Sequence, residues 1–261
     1  MNFRTILIVA VFISTMVVNA QEAPNKTDAS GKKQGHWIKL DQNKKKVYDG
    51  NFVNDKPVGK FTYYYDTGVP RAEMNFYKNG TVSYAKLYHP GGKLMAQGKY
   101  VNEKKDSLWK FFDEEEVIIS EENYSNGQKN GISKVYYRNG QVSEIRTWKN
   151  GVQDGPVTKY FESGTIKYKG QFIAGKLEGK VTYYHASGKV DAEGIYKNDL
   201  KDGEWKYYYE EGKIKRVDKY VNGRMIGEDK NIIPKEQQDK EKKMYEQFEL
   251  KDPYSEGYNG E

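Results

Sequence analysis

The chain has 261 residues, a formal net charge of +6 and no cysteine, which excludes a disulfide framework, a thiolate metal centre and a lipid-bearing cysteine. Only 36% of its residues are hydrophobic, yet 14% are aromatic and 26 are glycine. That many rings exclude a disordered chain, and so little aliphatic content argues for short amphipathic strands joined by turns rather than a deep globular core.

The first element is "MNFRTILIVAVFISTMVVNA", with Arg4 ahead of an apolar run from Ile6 to Val18 and small residues ending at Ala20. It reads as a secretory signal peptide, 1–20, cut after Ala20, because a spanning helix needs roughly 20 apolar residues and a stop-transfer flank. The expected location is secreted or periplasmic, with no transmembrane segment in the mature chain. Residues 21–34, "QEAPNKTDASGKKQ", read as a flexible leader.

From residue 35 a period takes over. "GEWKYYYEEG" at 203 aligns with "GKVTYYHASG" at 179, "GPVTKYFESG" at 155, "GISKVYYRNG" at 131 and "GKFTYYYDTG" at 59, a spacing of 24 residues. The same phase reaches Ser107, Ser83 and Gly35, so eight units fill 35–226 without interruption. The sixth residue of each is Leu40, Tyr64, Tyr88, Phe112, Tyr136, Tyr160, Tyr184 or Tyr208, and the eighteenth is always aromatic. A glycine turn separates the two stretches and "KNG", "VNG", "SNG" or "KND" follows the second, so each unit predicts a β-hairpin. On the first strand Trp205 and Tyr207 share one face and Tyr208 takes the other. On the second, Gly50, Gly98, Gly170 and Gly194 leave room for a neighbouring ring.

The predicted fold is all-β: an elongated, single-layer antiparallel array of eight hairpins, about 75 Å long at about 4.8 Å per strand. The first unit, with "LDQNKKK" at its turn, is degenerate as terminal repeats are. In the C-terminal segment 227–261, Pro234 begins a stretch that places Met244, Tyr245 and Phe248 on one side, predicting a short capping helix followed by a mobile tail.

The recurring "YKNG...DG.W.YYY..G.I" resembles MORN repeats, and more closely the variant MORN repeats of bacterial antitoxin-like proteins. This resemblance spans 35–226 and implies a hairpin array that acts by binding rather than catalysis. In eukaryotic relatives such repeats are associated with membrane lipids and with organising assemblies. The units here are a residue longer than usual and lack a Gly-x-Gly core, and a signal peptide does not suit an antitoxin against a cytoplasmic toxin.

Catalytic chemistry is not legible. His89 and His185 hold equivalent places four units apart, too far to share a metal, and His36 lies near the leader. No nucleophile motif, phosphate loop or complete Ca²⁺ loop occurs, and no cofactor is expected. The acidic run "DEEEVIISEE", from Asp113 to Glu122, reads as a solvated turn more readily than as a Ca²⁺ site. Glu114 and Glu122 offer no isolated carboxylate pair for sugar chemistry.

The expectation is therefore a non-enzymatic exported scaffold that binds a protein or cell-envelope partner through a repetitive aromatic and basic face. Candidate face residues are Tyr64, Tyr88, Tyr136, Tyr160, Tyr184, Tyr208, Trp205 and Trp109. An antitoxin-like role, and binding to polysaccharide or an anionic membrane surface, are the alternatives. Export argues against nucleic acid despite the basic repeats.

Overall fold

A computed structural model describes residues 23–229. Nineteen β-strands and no helix occur among them. Lys176–Leu177 and Gly179–Tyr184 are two pieces of one interrupted strand; otherwise each strand pairs antiparallel with the next along the chain, giving a single open sheet, as the 24-residue period predicts.

Two kinds of turn set the register. Between units, pairs such as Asn102-Glu103 and Asn126-Gly127 both have positive φ, the type I′ geometry whose twist suits tight hairpins. Within a unit the turn is longer: the Tyr65 amide donates to the Val69 carbonyl at 2.9 Å and Gly68 (φ 86°) donates back to Tyr65 at 2.8 Å. In the first and fourth units that glycine is Lys44 or Glu116, both at positive φ. There an aspartate organises the loop instead: Asp41 Oδ1 accepts the amides of Asn43 and Lys45, and Asp113 Oδ1 those of Glu115 and Val117. The side chain thus supplies a local turn where the backbone lacks glycine.

The first strand of each unit starts earlier than the pattern predicts. Lys56–Tyr64, for example, begins directly after the type I′ turn, and Gly59 (φ 63°) lies in a bulge where Gly59 to Phe61 pass the single residue Gly50. The repeated glycine is thus a bulge residue. The two serines that replace it behave differently. Ser107 keeps the bulge at φ 60°, its hydroxyl donating to Asp106 Oδ1 at 2.8 Å. At Ser83 the bulge is absent: Met74 to Tyr77 pair with Ala85 to Val82 without a shift, and the displaced residues lengthen the turn to 78–81.

The ends depart from expectation. Within the predicted leader, Lys26–Thr27 forms an edge strand on Lys33–Leu40, its turn organised by Asp28 Oδ1, and Trp37 Nε1 donates to the Lys26 carbonyl at 3.1 Å. The first unit, degenerate in sequence, forms the same hairpin as the rest. At the far end the sheet runs past residue 226, because Arg224–Asp229 pairs with Ile214–Val221. The stretches expected to form a signal peptide, a capping helix and a tail lie outside the described residues.

The core lies on one face of this single layer. The third residue of the second to eighth units points into it: Phe61, Ala85, Trp109, Ser133, Val157, Val181 and Trp205 are all buried, with Trp109 0% and Trp205 1% exposed, while Trp37 of the first unit is half-buried. Neighbouring strands compensate in size. Where the preceding strand offers Gly50, Gly98 or Gly194, the ring of Phe61, Trp109 or Trp205 lies over it, closer than 3.0 Å to where a Cβ would stand. Where it offers Met74, Glu122 or Arg146, the next unit places Ala85, Ser133 or Val157. Gly170 is filled by Tyr168 of its own strand. Close packing explains the reciprocity, since neither an extra methylene nor a void is tolerated cheaply.

Candidate binding faces

Alternation separates the predicted site residues onto two faces. Trp109 and Trp205 belong to the core face and are sealed there, while Tyr64, Tyr88, Tyr136, Tyr160, Tyr184 and Tyr208 line the other and are half-buried. The eight do not form one surface.

On the core face the rings are already occupied. Lys105 Nζ lies 4.7 Å from the ring centroids of Trp109 and Phe111 and 5.0 Å from that of Tyr124. Lys201 repeats this over Trp205 at 4.2 Å and Tyr220 at 5.1 Å, Lys33 over Trp37 and Phe52 at 4.8 Å, and Lys129 over Trp148 at 4.9 Å. Each ammonium lies two residues ahead of a unit and caps that unit's rings, a geometry in which ring quadrupoles offset lost hydration. Burial pulls the Lys105 ammonium below its usual pKa. The indole N–H groups of Trp109 and Trp205 donate to the carbonyls of Lys99 and Ile195 at 3.0 and 3.2 Å. What resembled an aromatic ligand site in sequence is closed by lysines, four residues upstream of Trp37, Trp109 and Trp205.

The tyrosine face is polar and ordered. Tyr88, Tyr136 and Tyr208 donate to Glu73, Glu121 and Glu193 at 3.0, 2.9 and 2.8 Å. The same carboxylates pair with Lys60, Lys110 and Lys180 at 3.0, 3.0 and 2.8 Å. Those lysines, then the tyrosines, hold the three carboxyls below their usual pKa against a smaller opposing effect of burial. Burial, followed by the glutamate bond, pushes each of the three hydroxyls up to about 12. Tyr64, Tyr160 and Tyr184 have Asp49, Ile145 and Lys169 at the corresponding place and make no such bond.

Position seven of four units ties hairpin tips together. Tyr65 and Tyr137 donate to the carbonyls of Tyr88 and Tyr160 at 2.7 and 2.6 Å, and His89 and His185 donate through Nε2 to those of Phe112 and Tyr208 at 3.2 and 3.3 Å. The equivalent histidines are staples between neighbouring units. The acidic run is likewise engaged: Glu116 accepts the Leu94 amide at 3.0 Å, Glu115 pairs with Arg138, and Glu122 accepts Lys129 Nζ at 2.7 Å and the Tyr124 hydroxyl.

One feature of the tyrosine face is apolar. The second residue of the third, fourth and fifth units is Tyr84, Leu108 or Ile132, exposed by 59%, 41% and 51%. Elsewhere that place holds His36, Lys60, Pro156, Lys180 or Glu204. Tyr84 and Leu108 line a groove of about 610 Å³ edged by Lys60, Lys86, Lys99 and Lys110. The sequence carried this signal as an apolar residue recurring at a polar place of the pattern.

Comparison with known proteins places the array. No curated protein sequence matches the chain. Among solved structures, TarM shares 17% identity over 36% of this chain and 20% of its own, at a TM-score of 0.27. A mutant of S. aureus TarM in complex with Fondaparinux, alpha-GlcNAc-glycerol and UDP gives 16% over 37% and 19%, at 0.28. The Photorhabdus luminescens Tc holotoxin pore gives 12% over 76% and 13%, at 0.22. The chain thus spans a fifth or less of those structures. The MORN repeat variant profile matches 57–79, 83–102, 129–150, 153–174, 177–198 and 201–222. It passes over the first and fourth units, whose turn glycine is Lys44 or Glu116. Since those six segments make up just over half of the 261 residues and coincide with the hairpins, the chain belongs to the MORN repeat variant family.

Proposed function

We propose that the protein is an exported, non-catalytic repeat scaffold that binds a protein partner of the cell envelope through its tyrosine face. The observation that carries the reading is the recurrence of exposed Tyr84, Leu108 and Ile132 on alternate strands of a largely polar face, the first two lining a lysine-edged groove. Clustered exposed apolar side chains with a polar rim are the usual mark of an interaction surface. The core face supplies rigidity, since its rings and lysines satisfy one another.

The test is a pull-down from an envelope fraction with the tagged protein and with the variant Tyr84→Ser, Leu108→Ser, Ile132→Ser. A stoichiometric protein partner that the variant loses, at unchanged thermal stability, is the expected result. Retention on a polysaccharide column with no protein partner would overturn it in favour of glycan binding. Recovery of the native protein from the cytoplasm would favour the antitoxin-like role.

A further inference from the structure

Four lysines, each two residues ahead of a unit, cap that unit's rings, and the second unit has the cage without the cation. Phe61, Tyr63 and Phe76 stand where Trp109, Phe111 and Tyr124 stand two units later, and the packing is alike: Phe61 stacks on Tyr63 at 6.1 Å as Trp109 stacks on Phe111 at 6.2 Å. The place of Lys105, opposite Tyr100 in the sheet, is taken by Pro57, opposite Phe52. Among the described residues no lysine or arginine lies over the ring of Tyr63, Phe76 or Tyr100.

The neighbouring unit widens the gap. It has Ala85 at the core place where every other unit but the fifth has a ring or valine, and it lacks the bulge. The result is a hollow of about 710 Å³ on the core face, walled by Tyr63, Met74, Phe76, Leu87 and Tyr100. Phe61 is itself covered, so the ring surfaces on offer are Tyr63, Phe76 and Tyr100. Asp55 and Glu103, both exposed, stand at the edge; Asp55 also accepts the Lys33 amide through Oδ1, and Lys56 is the one cation in the lining.

We propose that this hollow receives the lysine side chain of a partner protein, whose ammonium takes the place that Lys105 and Lys201 fill over the rings of the fourth and eighth units. The alkyl stem would lie on Met74 and Leu87, and the charge would sit against the tyrosine and phenylalanine faces with Asp55 and Glu103 at the entrance. The inference rests on the binding-scaffold reading only in requiring a protein partner, and it concerns the opposite face of the sheet.

The test is a titration of the full chain, labelled at its methionine methyls, with a blocked glycine-flanked lysine peptide and with the same peptide carrying norleucine, which keeps the stem and loses the charge. The lysine peptide should shift the Met74 methyl saturably and bind about tenfold tighter than the norleucine peptide. Pro57→Lys should refill the cage, raise the thermal midpoint and abolish the shift. If that variant fails to fold, Glu103→Lys, at an exposed turn position, should weaken binding severalfold without altering the fold. Equal binding of both peptides, or lysine binding that neither variant affects, would overturn the proposal. A pull-down partner bound equally by the wild type and Pro57→Lys would leave the scaffold reading standing while removing this one.

Discussion

In the last unit Trp205 is sealed beneath Lys201 and over Gly194, and the apolar cluster around it includes Val157, Tyr168 and Val181. In the fifth unit the same place is Ser133, whose hydroxyl accepts Trp148 Nε1 at 2.7 Å. Beside that indole lie ion pairs: Lys129 with Glu122 at 2.7 Å, and Arg146 with Glu144. This polar stretch separates the Trp205 cluster from a second one built on Ala85, Ala96 and Trp109. The backbone pairing is the same in both regions, so turns and strand ladders carry the architecture. What fills the core place decides how tightly each stretch is held. Burying a ring gains free energy with area, whereas a half-buried ion pair gains little beyond its own desolvation cost.

The largest break in that comparison is expected at the rings. Trp205→Ala should cost about 3–5 kcal/mol in denaturant unfolding, whereas Ser133→Ala should cost only about 1 kcal/mol, the value of one hydrogen bond. Equal costs would show that the polar stretch is as tightly held as the clusters. Next comes Gly98→Ala, whose new methyl would press on the Trp109 ring; about 1–3 kcal/mol of destabilisation is expected, and a neutral result would show that the ring can move aside.

The tyrosine face should respond to pH at both ends. Glu73, Glu121 and Glu193 have depressed folded-state pKa values, so their contribution is present above the usual carboxylate pKa and is lost as pH falls through the folded value. Tyr88, Tyr136 and Tyr208 are raised to about 12, so their contribution is present below the unfolded value near 10 and is lost as pH rises toward 12. Absorbance titration of the tyrosinates checks the second limb. Replacing the three glutamates with glutamine should flatten the acid limb and bring these hydroxyls part of the way back toward 10, leaving the share due to burial.

The smallest effects, of opposite sign, belong to the two serines. Ser107→Gly should stabilise by up to about 1 kcal/mol by relieving a left-handed conformation, while Ser83→Gly, in a straight buried strand, should destabilise by about 0.5–1 kcal/mol. Matching signs would mean that the third unit also carries the bulge in solution.

Much of this architecture was legible in the sequence. The period, the hairpins and the two-face division follow from glycine spacing and alternation, because turn residues need positive φ and a strand must present its side chains alternately. Glycines 50, 98 and 194 announced the rings that cover them. The candidate site was legible only in part. Nothing in the alternation says that Lys105 and Lys201 fold back over the rings, that His89 and His185 reach the next hairpin, or that Ser83 loses the bulge Ser107 keeps. The edge strand Lys26–Thr27 was hidden because its pairing depends on Asp28 turning the chain rather than on any repeat.

By itself, then, the sequence determined the all-β repeat, its 24-residue period and its hairpin order, since these depend on local backbone preferences repeated along the chain. Only the tertiary structure decided which rings are closed by the chain's own lysines and which remain open at the second and third units. That outcome depends on the sizes and charges brought together across strands, where each residue's neighbour is about half a repeat away in the chain and in contact in the fold.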